Sequence, residues 1–215
     1  SRIWANEEEV RRDNRDNDLR PGQIETPRWD FDYLADYMGY YTSPFLFYFR
    51  EGTNTLRFTA VKEPMVLRRI TIAQAPEVEP YASVARDYGA QGYRAYEGEP
   101  IKLQGEQADL KSDPMLYPIY DRTSPATEPY HHSKIRLNTI GGYRWVLPGQ
   151  WLSWQFEAPE SGLYQIAIKN RQNITRGLYT NRRVTINGRV PFEEMDNVRF
   201  NYSMDWEMTP LGDGE

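Results

Sequence analysis

Gly149-Gln150-Trp151-Leu152-Ser153-Trp154-Gln155-Phe156-Glu157 and Gly162-Leu163-Tyr164-Gln165-Ile166-Ala167-Ile168-Lys169-Asn170 are the stretches whose reading decides the fold class. In the first, Leu152, Trp154 and Phe156 alternate with Trp151, Ser153 and Gln155; in the second, Tyr164, Ile166 and Ile168 alternate with Gln165, Ala167 and Lys169. Successive side chains of a strand point to opposite faces, so this period of two predicts two half-buried strands, over 151–157 and 162–170. Pro159-Glu160-Ser161-Gly162 supplies the turn between them.

The same grammar extends in both directions. Downstream, a strand is predicted over 183–186, closed by Asn187-Gly188, a strong two-residue hairpin signal. Upstream, 101–104 is a further strand candidate. Beyond Pro44, strands are predicted over 45–49, 55–61 and 65–72, the first two joined by Glu51-Gly52-Thr53-Asn54 and the third following Pro64. Between 75 and 100 stand Pro76, Pro80 and Pro100. Tyr81, Val84 and Tyr88 within 79–91 keep helical spacing, so this segment reads as a linker with a short helix. Residues 1–32 are polar and charge-rich, looped around Pro21, Gly22 and Pro27, with room for a short helix over 7–15. Short strands with turn signals and almost no long helix predict an all-β chain, an antiparallel sandwich with a short helical linker.

Composition narrows the function classes. The 215 residues carry a formal net charge of −5, 39% hydrophobic residues and a mean hydropathy of −0.79. Yet 16 Tyr, 8 Phe and 6 Trp are far more rings than a disordered chain carries. With no cysteine, disulfides, thiol nucleophiles and thiolate zinc sites are excluded. No apolar run reaches the roughly 20 residues of a membrane-spanning helix. Net negative charge argues against a nucleic-acid surface, which needs clustered cations. The chain opens at Ser1 without a leader and is read as a segment of a longer protein.

Three motifs in order carry a family resemblance: Gln104-Gly105-Glu106-Gln107-Ala108-Asp109, Gly149-Gln150-Trp151-Leu152-Ser153-Trp154, and Gly162-Leu163-Tyr164-Gln165-Ile166-Ala167-Ile168. They resemble the opening strands of galactose-binding-like jelly rolls found in carbohydrate-binding modules. Gly52-Thr53-Asn54-Thr55-Leu56-Arg57-Phe58 is similar to the closing strand of the same modules. The ending therefore precedes the beginning: 1–74 resembles a closing half-module, 75–100 a linker, and 101–215 an opening half-module. The two halves are either parts of a tandem or the complements of one permuted sandwich. Gly141-Gly142-Tyr143-Arg144-Trp145, Asn170-Arg171-Gln172-Asn173, Arg176-Gly177-Leu178-Tyr179 and Pro191-Phe192-Glu193-Glu194 also resemble large extracellular sugar-type solute-binding proteins of bacterial ABC transporters. That resemblance implies a secreted or surface-anchored location and a parent protein that engages transporter membrane components. It implies an oligo- or polysaccharide as partner.

Sugar recognition requires a flat apolar ring for a pyranose face and planar polar groups for its hydroxyls. Tyr143, Trp145 and Trp151 are the candidate rings; Asn173, Arg176 and Tyr179 are the candidate polar partners. The competing reading packs these rings over loops or against the neighbouring half of the chain. Arg171, Arg176, Arg182 and Arg183 form a basic stretch suited to uronic acids, or to pairing with Glu193, Glu194 and Asp196. Phe58, Trp154, Phe156 and Tyr164 are assigned to the core. Through the resemblance, Glu106 matches an acid that helps hold a structural calcium in relatives, although Gln104 replaces the first acid of that pattern. Asn14, Asp16 and Asp18 read as a solvated loop. His131 and His132, adjacent on an extended chain, would point to opposite sides and could not share a metal. No nucleophile motif or phosphate loop is present, so no catalysis and no cofactor beyond that calcium are expected. The leading expectation is a non-catalytic carbohydrate-binding segment of a sugar-uptake protein. The alternatives are a structural spacer or docking module, or an ancillary region of a glycoside hydrolase.

Overall fold

The computed structural model describes all residues except 1, 37, 39, 42, 63–64, 75–76 and 213–215. Pro64, Pro76 and the closing Asp213-Gly214-Glu215 thus lie outside the described residues. The chain divides into two units, Ser1–Asp30 with Val78–Glu215, and Phe31–Glu77.

The larger unit is β-rich, with several small antiparallel sheets and one α-helix. Its elements are β1 (Trp4–Asn6), β2 (Gln23–Glu25), α1 (Tyr81–Ala90), β3 (Leu110–Lys111), β4 (Leu152–Ser153), β5 (Ala167–Asn170), β6 (Tyr179–Arg182), β7 (Val198–Asn201) and β8 (Glu207–Pro210). One sheet has the order β2-β1-β3-β4; β5 pairs with β8, and β6 with β7. Trp4 opposes Lys111 across the β1–β3 pair, which ties the N-terminal segment into this unit. Ile3, Ala108, Leu116, Met195 and Phe200 are its buried apolar side chains.

The helix matches its predicted position and shows why it stops where it does. Gly92 adopts φ 71°, its N–H donates to Gly89 O at 3.1 Å, and Tyr93 N–H donates to Tyr88 O at 3.1 Å. Those paired bonds form a Schellman motif, completed by a Tyr88–Tyr93 ring contact with centroids 5.8 Å apart. The helix start borrows its cap from far along the chain: the Glu194 carboxylate accepts Tyr81 N–H at 2.9 Å, and Tyr81 packs against Phe192. The turn at Asn187-Gly188 also forms as predicted. Both residues have positive φ, 51° and 78°, and Ile186 and Arg189 exchange backbone hydrogen bonds across it.

The strands are shorter than the alternation predicts. Of 151–157 only Leu152–Ser153 joins a ladder, and of 162–170 only Ala167–Asn170. Phe156 and Phe58, expected in the core, are each half exposed, and Tyr164 instead stacks on Tyr96 at 4.5 Å. Alternation buries a face only where a second layer covers it, and these two- to four-residue ladders offer little surface to cover.

In the smaller unit the turn at 51–54 forms, with Gly52 at φ 100° and Asn54 Nδ2 donating to Arg50 O and Gly52 O. Asp36 gathers the N–H groups of Met38, Tyr40 and Tyr41. Among the described residues of 45–49, 55–61 and 65–72 no ladder is present, in contrast to the prediction. A strand exists only through a partner, and without one Leu46 and Val61 stand 83% and 94% exposed.

Two loops depart from the sequence reading. Asp16, Asn17 and Asp18 are clasped rather than simply solvated. Asp18 accepts from Arg12 Nε at 2.9 Å and from Leu137 N–H at 3.1 Å, Asp16 pairs with Arg136 at 2.7 Å, and Asn17 Oδ1 accepts Ile135 N–H. His131 and His132 stack, centroids 4.7 Å apart, because the chain bends there instead of running extended. Ser133 and Lys134 N–H groups both donate to His131 Nδ1.

Candidate functional site

The loop bearing Tyr143 and Trp145 is built by glycine and glutamine. Gly141 and Gly142 hold φ of 105° and 60°, a region that side chains disfavour, and swing the chain into the 3-10 turn Gly142–Arg144. A side chain at Gly141 would also stand 3.4 Å from Trp145 Cε3. Gln150 locks the return: its Oε1 accepts Val146 and Leu147 N–H, its carbonyl accepts Trp145 Nε1–H at 3.0 Å, and its Nε2 donates to Asp113. Tyr143, 76% exposed, stands on this loop together with the exposed Val146 and Leu147.

A second loop, after β5, is organised by one buried side chain. Gln172 donates through Nε2 to Thr175 O and Leu178 O and accepts Ile174 and Thr175 N–H at Oε1. Four bonds from one amide leave its polar groups satisfied and the loop closed on itself. Asn173 and Arg176 project from that loop, both exposed, and neither hydrogen-bonds nor pairs with any described residue. Tyr179 follows at the start of β6, half exposed, with the Arg199 guanidinium 4.8 Å from its ring centre.

Arg182, at the end of β6, joins the two loops. Its guanidinium lies 4.3 Å from the Trp145 ring centroid, and its NH2 donates to Trp145 O at 3.1 Å. Burial lowers the Arg182 pKa. One face of Trp145 is therefore occupied by the protein's own cation. Tyr143, Trp145, Arg182 and Tyr179 are linked through the loop and β6, whereas Trp151 is placed differently. Its backbone pairs with Ser112, and no hydrogen bond or ring contact joins it to Tyr143 or Trp145.

The basic stretch is mostly engaged. Arg171 pairs with Asp121, bonds Thr123 and lies 4.9 Å from the Trp206 ring. Burial alone raises the Asp121 pKa, but hydrogen bonds from Thr123 and the Arg171 charge outweigh it and lower it. Arg183 pairs with Asp196, one of the acids proposed for it.

Glu106 sits in the 3-10 turn Gly105–Gln107, 7% exposed, with Oε2 unpartnered. Burial raises its pKa, opposed by a backbone hydrogen bond and by the charge of Lys102. Calcium takes six to eight oxygen ligands. Among the described residues no cluster of three or more His, Cys, Asp or Glu that could hold a metal ion is present, so Glu106 offers such an ion one orphaned carboxylate oxygen and no second acid. An open hollow of about 610 Å³ lies along β1 and β2, lined by Glu7, Glu8, Glu9 and Arg11 among others, and none of the predicted site residues borders it. No helix among the described residues is long and apolar enough to cross a membrane.

The organising roles of Gln172, Gln150 and Arg182 were not anticipated. A glutamine beside an Asn-Arg pair gives no sign of bonding four groups of its own loop, and Arg182 read only as part of a charge run. Compared with known proteins, the chain matches no family model, no curated protein and no solved structure.

Proposed function

We propose that this chain is a non-catalytic carbohydrate-binding segment with a galactose-binding-like jelly-roll ancestry, part of a secreted or surface-anchored bacterial sugar-uptake protein. The order of the three motifs at 104–109, 149–154 and 162–168 supports the ancestry, and the small antiparallel sheets are compatible with it. What supports the binding role is an exposed ring, Tyr143, on the loop that Gln150 closes, and the exposed side chains of Asn173 and Arg176 on the loop that leads into β6. Tyr143 would stack on the apolar face of a pyranose, and Asn173 and Arg176 would bond its hydroxyls. Trp145 serves this surface as its anchor through Arg182 rather than as an open stacking face. Affinity would be modest, because a shallow site immobilises few groups. Such binding requires no cofactor. Affinity electrophoresis through gels containing soluble polysaccharides tests it: retardation by at least one polysaccharide, relieved by Tyr143→Ala, is the expected result, and equal retardation of both proteins removes the site.

A spacer or docking role is the second reading, favoured by the apolar side chains of 45–72 that stand exposed in the smaller unit. It predicts no retardation in any gel.

A further inference from the structure

Tyr117 is crowded by cations that have no anion. Arg20 Cζ lies 3.6 Å from its ring centroid and Arg144 Cζ 4.5 Å from the same point. Neither guanidinium pairs with a carboxylate among the described residues. Lys111, on which the charge of Arg20 acts, is wholly buried, and its Nζ donates to Asn6 Oδ1, an oxygen already shared with Gln23 Nε2. An ammonium carries three protons, so two are left without a protein acceptor. Arg144 Nε is likewise buried and unpartnered. Burial, and after it the charge of Arg20, lowers the Lys111 pKa to about 8.

Desolvated cations without a counter-charge are costly, and each buried donor left unbonded adds to that cost. Stacking on the Tyr117 ring gives the buried Arg144 Nε no acceptor, and Asn6 gives the Lys111 ammonium only one. An oxyanion would supply what all three lack: planar lone pairs for two guanidiniums and an acceptor for an ammonium. Arg144 stands between Tyr143 and Trp145 in sequence, on the loop that carries the ring proposed for sugar stacking. Arg20 is exposed and offers the approach.

We propose that Arg20 and Arg144, which share the Tyr117 ring, form a binding site for the carboxylate of an acidic saccharide, with Lys111 as a third cation. The oxyanion part stands on the cation cluster alone; the saccharide part rests on the carbohydrate reading above. Of the basic residues singled out from sequence, Arg171 and Arg183 are engaged with acids and Arg182 with Trp145.

Titrations of the full chain with tetragalacturonate, with neutral galactotetraose and with inorganic phosphate test this, using the wild type, Arg20→Gln, Arg144→Gln and Tyr143→Ala. The wild type is expected to prefer the uronate over the neutral sugar by about tenfold, and each arginine variant to lose most of that preference. Tyr143→Ala is expected to weaken both sugars together. A wild type without preference, or arginine variants that keep it, overturns the anion site; the carbohydrate reading then survives only if Tyr143→Ala still weakens binding. Phosphate binding abolished in both arginine variants, with no uronate binding, overturns the saccharide source and leaves a site for a free oxyanion. Arg20 is a surface side chain, so Arg20→Gln keeps the test valid even if Arg144→Gln fails to fold.

Discussion

Arg182 covers Trp145: its guanidinium lies 4.3 Å from the indole centroid and its NH2 donates to the Trp145 carbonyl. The contact binds the end of β6 to the loop that presents Tyr143, so one residue pair aligns the two halves of the candidate site.

Removal of either partner should loosen that loop. A cation over an indole is worth about 0.5–2 kcal/mol. Arg182→Met, which keeps the stem and deletes the charge, is expected to lower stability to denaturant by an amount in that range and to raise hydrogen exchange at 142–147. Trp145→Ala should cost more, since it also deletes the bond to Gln150. Protection at 142–147 that is unchanged in Arg182→Met would show that the contact does not hold the loop.

Lys111 predicts a pH dependence. Its folded-state pKa is about 8 against an unfolded value of 10.5, so the folded state binds the proton less tightly. The penalty for burying the charged form is complete below about pH 8 and fades as pH rises toward 10.5. Lys111→Met should therefore gain stability relative to the wild type at pH 7, and that relative gain should shrink by pH 10. Equilibrium unfolding of both proteins at the two pH values measures it; a constant difference would mean that Lys111 titrates normally.

Glu106 carries the opposite sign. Its pKa is raised in the folded state, so its contribution is full below the unfolded carboxylate pKa and is lost as pH rises through the folded value. Glu106→Gln is expected to raise the melting temperature at pH 7 and to leave it unchanged at pH 4. Melting temperatures with calcium and with chelator are expected to coincide. A calcium-dependent rise in the wild type that disappears in Glu106→Gln would restore the calcium site implied by the resemblance.

The helix ends predict two unequal losses. Gly92→Ala places a side chain at φ 71° and should cost about 1 kcal/mol. Glu194→Gln keeps an acceptor for Tyr81 N–H but deletes the negative charge at the helix start, and should cost about 0.5 kcal/mol. Denaturant midpoints for the two variants check the ranking.

What could be read in the sequence was local. The helix over 79–91 and the Asn187-Gly188 turn follow from spacing and from backbone freedom within a few residues, and both form. The strand lengths did not follow, because alternation at Leu152, Trp154 and Phe156 says which face would be buried and nothing about whether a second layer exists to bury it. Stretch 55–61 has the same limitation: Leu56 and Phe58 alternate correctly and are still half exposed. In the candidate site, the exposed phase of Tyr143 was legible from its glycine-rich loop. The Arg182 contact joins residues 37 apart, and the Glu194 cap residues 113 apart, and no local pattern encodes either. The cations on Tyr117 come from positions 20 and 144, which only the fold brings together.

The most direct test of saccharide binding is calorimetric titration of the wild type and Tyr143→Ala with an oligosaccharide released from the polysaccharide that retards the protein most. The account predicts a dissociation constant in the micromolar-to-millimolar range for the wild type and a loss of about tenfold or more in the variant. Equal affinities for the two proteins, or no heat with any saccharide, would contradict it.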